Sequence, residues 1–290
     1  MLVFGLGYTG TAIAGAAQAA EFTVAGTSRD PGERRAPAGI RLLPFDAAAP
    51  EVARATHVLA TIPVGEGGDL VLDRYGPALA ASEALRWAGY LSTTGVYGDR
   101  NGEWVDEETE PRPASPRTRR RRAAELAWSD LPCAVDLFRV AGIYGPGRSP
   151  FEALRAGTAH RIIKPGHQFG RIHRDDIAAA VLAAMVSAQP GAKRVFNLSD
   201  DEPAEAATVT EEAARLLGIA PPPATPFADA VPGMSAMGRS FWSENRKVDS
   251  RKTQARLGLR WRYPTYREGL RAILAAEGCE QRGEGPGQQA

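Results

Sequence analysis

Gly5, Gly7 and Gly10 have the spacing Gly-x-Gly-x-x-Gly, directly after an apolar run at residues 1–4 and before an Ala-rich, helix-forming stretch at 11–20. A strand, a glycine turn and a helix in that order suit a dinucleotide. The first glycine permits the tight turn, the second lets backbone approach a pyrophosphate, and the third lets helix and strand pack closely. The pyrophosphate would then rest on unpaired amides at the positive end of the helix. Gly5, Gly7, Tyr8, Thr9 and Gly10 are therefore the first candidate cofactor contacts.

The second strand should say which dinucleotide. An NAD site usually places a carboxylate about 20 residues beyond the glycines to hold the ribose 2′-hydroxyl. Here the stretch reads Thr27-Ser28-Arg29. A guanidinium can pair with a 2′-phosphate, which a carboxylate would repel. Ser28 and Arg29 thus favour NADP. NAD is the alternative, because Asp30 can pair with Arg29 or bind ribose itself. Asp46, Thr61, Ile62 and Ser92 fall at the ends of later strands, where ligands bind in parallel sheets, and complete the expected cofactor wall.

Positioning these residues requires alternating strands and helices. Strands are expected at residues 22–27, 40–45, 57–62, 90–92 and 134–138, with a helix over 70–87 that Gly76-Pro77 must interrupt. Continuous apolar strands alternating with helices predict an α/β fold, a Rossmann doubly wound parallel sheet covered on both faces. Beyond Gly147 helices are expected at 151–157, 175–187, 202–218 and 266–276, with a strand at 194–198 and an irregular proline-rich loop over 220–232. The implied organisation is a dinucleotide-binding domain over 1–145, with 170–200 returning to it. A smaller substrate lobe covers 146–169 and 201–277, and a flexible polar tail covers 278–290.

Composition narrows the class of chemistry. The 290 residues carry 35 Lys+Arg against 34 Asp+Glu, so no overall field favours nucleic acid or an anionic membrane. Hydrophobic residues at 43% are ordinary for a globular chain, and no apolar run reaches the length of a membrane span. A cytoplasmic protein is expected. The two cysteines, Cys133 and Cys279, show no C-x-x-C spacing, and the four histidines show no paired-ligand spacing; a disulfide framework and a catalytic metal are not expected.

Several blocks in order carry a wider likeness: Gly5-Leu-Gly-Tyr-Thr-Gly10, Leu91-Ser-Thr-Thr-Gly-Val-Tyr-Gly98, Arg139-Val-Ala-Gly-Ile-Tyr-Gly-Pro-Gly147, Arg171-Ile-His-Arg-Asp-Asp-Ile177 and Phe196-Asn-Leu-Ser199. Together they resemble the extended short-chain dehydrogenase/reductase family of NAD-dependent epimerases and dehydratases, from residue 1 to about residue 276. The resemblance implies a substrate lobe, a small-molecule substrate such as a nucleotide sugar, and a homodimer formed by helices packed as a four-helix bundle. It also implies a catalytic hydroxyl at Thr93.

One family feature is missing. The resemblance calls for a Tyr-x-x-x-Lys pair where this chain carries Arg117 and Arg121. The family tyrosine works because a neighbouring ammonium lets its phenol lose a proton, and arginine cannot act as that base. The chain thus resembles an atypical member. Thr93, Tyr97, Arg117 and Arg121 are its candidate catalytic positions, with Tyr97, Tyr144 and His173 as potential stand-ins for the phenol. The basic run 117–122 reads as a solvated helix start, with an Arg121–Glu125 pair at i,i+4. Asp175 and Asp176 read as helix caps. Two activities are compatible with these features: an oxidoreductase or epimerase/dehydratase-like enzyme on a polar substrate, or a catalytically silent NADP(H)-binding sensor or regulatory module.

Overall fold

Short apolar segments between helices form the sheet that the sequence pattern requires. The computed structural model describes residues 1–30, 32 and 36–281, the side chains of 279–281 excepted. Strands β1 (Leu2–Phe4), β2 (Ala25–Ser28), β3 (Arg41–Pro44), β4 (His57–Ala60) and β5 (Trp87–Thr93) alternate with α1 (Tyr8–Ala19), α2 (Ala49–Arg54) and α3 (Leu70–Ala80). After β6 (Trp104–Val105) and α4 (Pro116–Ser129), β7 (Ala134–Val140) returns to the sheet. Then come β8 (Gly142–Tyr144), α5 (Pro150–Arg155), β9 (Arg161–Ile163), β10 (Arg171–His173), α6 (Arg174–Val186) and β11 (Lys193–Leu198). The last portion contributes α7 (Ala206–Leu217), β12 (Ala224–Pro226), α8 (Phe227–Ala230), α9 (Ala236–Trp242), β13 (Lys247–Val248), α10 (Arg251–Leu257) and α11 (Tyr266–Gln281).

The main sheet has the order β11-β7-β5-β4-β1-β2-β3, and every pairing in it is parallel. Chain order reverses between β1 and β4, which opens a crevice at their carboxyl ends. One face is covered by Ile13 and Ala17 of α1 and Ile177 and Val181 of α6, packed on Val3, Leu59, Phe138 and Phe196. The other face carries Val52, Val71, Leu79 and Trp128 from α2, α3 and α4 against Phe4, Val58 and Val135. A separate apolar cluster of Phe151, Leu154, Val209, Ala213, Tyr266 and Leu270 holds α5, α7 and α11 together.

Two buried carboxylates cross-link the sheet. Asp136 accepts from the Trp87 indole at 2.6 Å and from Arg194 at 2.7 and 2.6 Å, tying β5, β7 and β11. Glu125 on α4 accepts from Ser92 Oγ at 2.7 Å and from Arg139 at 3.1 and 2.9 Å, which fixes α4 over β5 and β7.

Several expected boundaries move. The helix expected over 70–87 ends at Ala80, and residues from Trp87 belong to β5. Pairing of Trp87 with His57 and Ala134, and its indole bond to Asp136, outweigh the helix-forming residues before it. Pro77 sits within α3 without ending it. The proline-rich stretch is structured: β12 pairs with β9, and α8 and a 3₁₀ turn at Val231–Gly233 follow. The terminal helix continues to Gln281, and the rest of the expected tail lies outside the described residues.

Candidate functional site

The glycine turn between β1 and α1 is shaped by contacts that only glycine allows. Gly5 has φ +96°, and a Cβ there would meet Thr61 Oγ1 at 2.8 Å and Ile62 Cγ1 at 2.9 Å. A Cβ on Gly10 would lie 2.1 Å from the Gly5 carbonyl oxygen. Gly7 differs: its φ is −81°, and a Cβ there would meet nothing within 4 Å. The protein leaves that space open. Gly7 is also the N-cap of α1 and no side chain caps the helix, so the first amides of α1 have no side-chain acceptor. Open space beside uncapped amides at a helix N-terminus fits a pyrophosphate.

The turn is held from three sides. Gly5 N–H donates to Thr27 Oγ1 at 3.1 Å, and Thr61 Oγ1 donates to the Gly5 carbonyl at 2.6 Å. Tyr8 donates to the Pro146 carbonyl at 3.0 Å, with the Arg174 guanidinium 4.8 Å from its ring centre. Burial pushes the Tyr8 phenol above its usual value, so it stays a donor. Thr9 is buried in the first turn of α1. Thr61 therefore acts on the glycine turn itself, and Ile62 walls it.

The other expected cofactor residues divide. Ser28 ends β2, and Arg29 and Asp30 beyond it are exposed. Asp46 is exposed in a 3₁₀ turn after β3. Ser92 is buried and its hydroxyl is spent on Glu125, so it braces α4 rather than facing a ligand.

A cavity of about 450 Å³ opens beyond the end of β5, lined by Thr93, Arg117, Phe169, Arg171, Trp242 and Arg246 among others. Thr93 Oγ1 accepts from Gly95 N–H at 3.1 Å, which leaves its own proton available to a ligand oxygen. Arg117 is exposed at the start of α4, with its guanidinium 5.0 Å from the Phe241 ring centre. A Ser115 capping box starts this helix and sets its register. Arg121, one turn on, donates to Tyr90 Oη at 3.0 Å and to the Leu91 carbonyl at 2.9 Å, so it is tied to β5. Burial pushes the Tyr90 phenol up to about 12, which keeps it protonated there.

The potential stand-ins lie elsewhere. Tyr97 is wholly buried, donates to Asn197 Oδ1 at 2.7 Å, and lies under the Arg139 guanidinium; it is a core residue, because the turn after β5 carries its ring inward. Tyr144 packs edge-on to His173 in the β8–β10 pair, and burial raises its phenol. His173 is the N-cap of α6, its Nδ1 accepting from Asp175 N–H at 3.2 Å, and burial lowers it to about 4, so it is neutral near pH 7. The expected aspartate cap is thus a histidine. Asp176 instead accepts the backbone amides of Arg262 and Tyr263. The expected Arg121–Glu125 pair is likewise replaced: Glu125 faces inward and pairs with Arg122 and Arg139 at 2.9 Å each.

Sequence reasoning missed Arg246, Phe241 and Trp242, which α9 and the approach to β13 bring to the cavity. No local pattern marks them. Arg171 lies within a block quoted above, but nothing in that block shows that its side chain reaches a cavity.

No family model matches the chain. A structure of a conserved protein of unknown function from Silicibacter pomeroyi DSS is 43% identical and superposes with a TM-score of 0.89, covering 95% of this chain and 98% of that one. MoeE5 in complex with UDP-glucuronic acid and NAD superposes with a TM-score of 0.78 at 20% identity, over 96% of this chain and 99% of that one, a likeness of fold. The chain shares its fold with both structures, and at 43% identity over nearly its whole length it belongs with the conserved Silicibacter protein. At α4 the chain carries Arg117 and Arg121, the positions where the sequence resemblance called for a tyrosine and a lysine. Among curated proteins, YeeZ of Escherichia coli K12 is 27% identical over 176 residues, 60% of this chain and 58% of that protein. A 3-diazoavenalumate denitrifying reductase of Streptomyces is 34% identical over 162 residues, 52% of this chain and 51% of that protein. The matched segment thus spans little more than half of each curated relative. Among the described residues, no helix is long and apolar enough to cross a membrane.

Proposed function

We propose that the protein is an NADP(H)-dependent oxidoreductase acting on a polar substrate in the cavity beside Thr93. The observation that carries this reading is Gly7: a non-strained backbone position with empty space beside the uncapped amides of α1. Gly5, Gly7 and Gly10 would hold the pyrophosphate, and Arg29 would face the 2′-phosphate, which favours NADP over NAD. The bound nicotinamide would supply or take up hydride.

The chain's own groups would do the rest. Thr93 Oγ1 would donate to the oxygen or other electronegative atom that gains charge, and Arg117 would add positive potential to that end of the cavity. No phenol at Arg117 can trade a proton, so the protonation step would fall to water admitted by the cavity. Such a site suits an electrophile whose hydride adduct takes its proton from water, without an enzymic general acid. The reductase relative in Streptomyces and the nucleotide-sugar complex of MoeE5 supply two substrate classes worth assaying. Absorbance at 340 nm, with purified protein, NADPH and a panel of sugar nucleotides, carbonyl compounds and aryl diazo compounds, tests the reading. Oxidation of NADPH with any member supports it. Tight NADPH binding with no oxidation across the panel would favour the silent module, which the arginine at position 117 makes physically reasonable.

A further inference from the structure

Resting on that reading of the cavity, we propose that its ligand is a ring-bearing anion, and that Arg117 has become the anchor for the anion. Three guanidiniums, Arg117, Arg171 and Arg246, line the cavity with a single carboxylate, Glu244. Glu244 is already taken by Arg246 Nη1 at 2.8 Å. Arg246 Nε is buried without a hydrogen-bond partner, and the like charge of Arg117 acts on the same guanidinium.

The Arg171 guanidinium is buried and spends Nη1 on the carbonyls of Phe169 and Ala204, at 2.9 and 3.1 Å, with no carboxylate among its hydrogen-bond partners in the described residues. Asp200 is the carboxyl that acts most strongly on it, but neither Asp200 carboxyl oxygen has a hydrogen-bond partner among the described residues. Arg117 has no carboxylate partner either; its contact is the Phe241 ring. A guanidinium withdrawn from water without an ion pair, as Arg171 is, is costly, and a carboxylate or phosphate bound by it and by the unpaired Arg117 relieves that cost through bidentate, charge-assisted bonds.

The apolar wall beside these charges is aromatic. Phe169, Phe241 and Trp242 line the cavity, and Trp242 is held edge-on to Phe169 at 5.0 Å and stacked on His167 at 5.4 Å. A planar ring packs on such a wall while its anionic substituent reaches the arginines. An aryl carboxylate and a nucleotide phosphate share this chemistry.

Calorimetry on the full chain separates them, with and without NADP. The probes are 4-hydroxycinnamate, its neutral amide, UMP and inorganic phosphate. The acid or UMP should bind at least tenfold more tightly than the amide and than phosphate. Arg117→Gln, at an exposed position that leaves the fold intact, should weaken that ligand by about 10- to 100-fold while sparing NADP. Binding of the acid without UMP assigns an aryl carboxylate, and binding of UMP without the acid assigns a nucleotide. Equal affinity for acid and amide, phosphate binding as tightly as either ring compound, an unchanged Arg117→Gln variant, or no binding of acid and UMP would each overturn the inference. Because NADP is titrated on the same samples, failure of the dinucleotide reading appears separately, as loss of NADP binding.

Discussion

Gly7→Val separates the fold from the binding site more cleanly than any other single change. At φ −81° a β-carbon is unstrained, and it would meet no protein atom within 4 Å. The fold should therefore tolerate it, at a cost of no more than about 1 kcal/mol for a poorer N-cap residue, or a fall of about 2–4 °C in Tm. The added carbons occupy the space through which a pyrophosphate would reach the amides of α1. Each charge-assisted hydrogen bond lost there is worth about 1.5–3 kcal/mol, so NADPH affinity should drop at least tenfold and as much as about a hundredfold. Gly10→Ala is the contrasting case. Its Cβ would lie 2.1 Å from the Gly5 carbonyl oxygen, so the turn must open, and stability and binding should fall together, the former by about 1–3 kcal/mol. Calorimetric titration with NADPH, paired with thermal unfolding of each variant, reads both quantities. A Gly7→Val protein that binds NADPH within twofold of the parent would refute the placement of the pyrophosphate.

Arg29→Ala should weaken NADPH by about 1.5–3 kcal/mol and leave NADH nearly unchanged, and equal losses in a competition titration would remove Arg29 from the 2′-phosphate. Glu125→Ala should strand the buried Arg139 and cost about 3–5 kcal/mol in urea unfolding; a loss below about 1 kcal/mol would mean the network contributes little. His173, lowered from 6.5 to about 4, is held neutral in the folded chain. Its contribution is therefore complete above pH 6.5 and is lost as pH falls from about 6.5 toward 4, and His173→Asn should flatten that part of the stability profile.

The sheet was legible because its signals are local. Glycines between an apolar run and an Ala-rich helix announce β1, the turn and α1, and short, mostly apolar segments between helices announce β4 and β7 as strands. Where tertiary pairing decides, local pattern misleads. Trp87 follows residues that favour helix, yet its backbone pairs with two strands and its indole finds Asp136. Strands of two residues such as β6 and β13, whose partners lie far apart in the chain, leave no periodicity to read. The candidate site shows the same division. The cradle glycines and Arg117 are set by spacing and by resemblance, whereas Arg246 and Trp242 reach the cavity through the path of α9 and the segment after it. The inward turn of Glu125 had no sequence signal, because its partners Ser92 and Arg139 are assembled only by the sheet.

A diffraction structure of crystals grown with NADPH tests the central claim most directly. The pyrophosphate should lie on the amides that follow Gly7, with the nicotinamide ring beside Thr93 and the Arg117 guanidinium where a phenol would otherwise stand. Density for the dinucleotide away from the β1–α1 turn, or a tyrosine hydroxyl within hydrogen-bond reach of the nicotinamide, would contradict it.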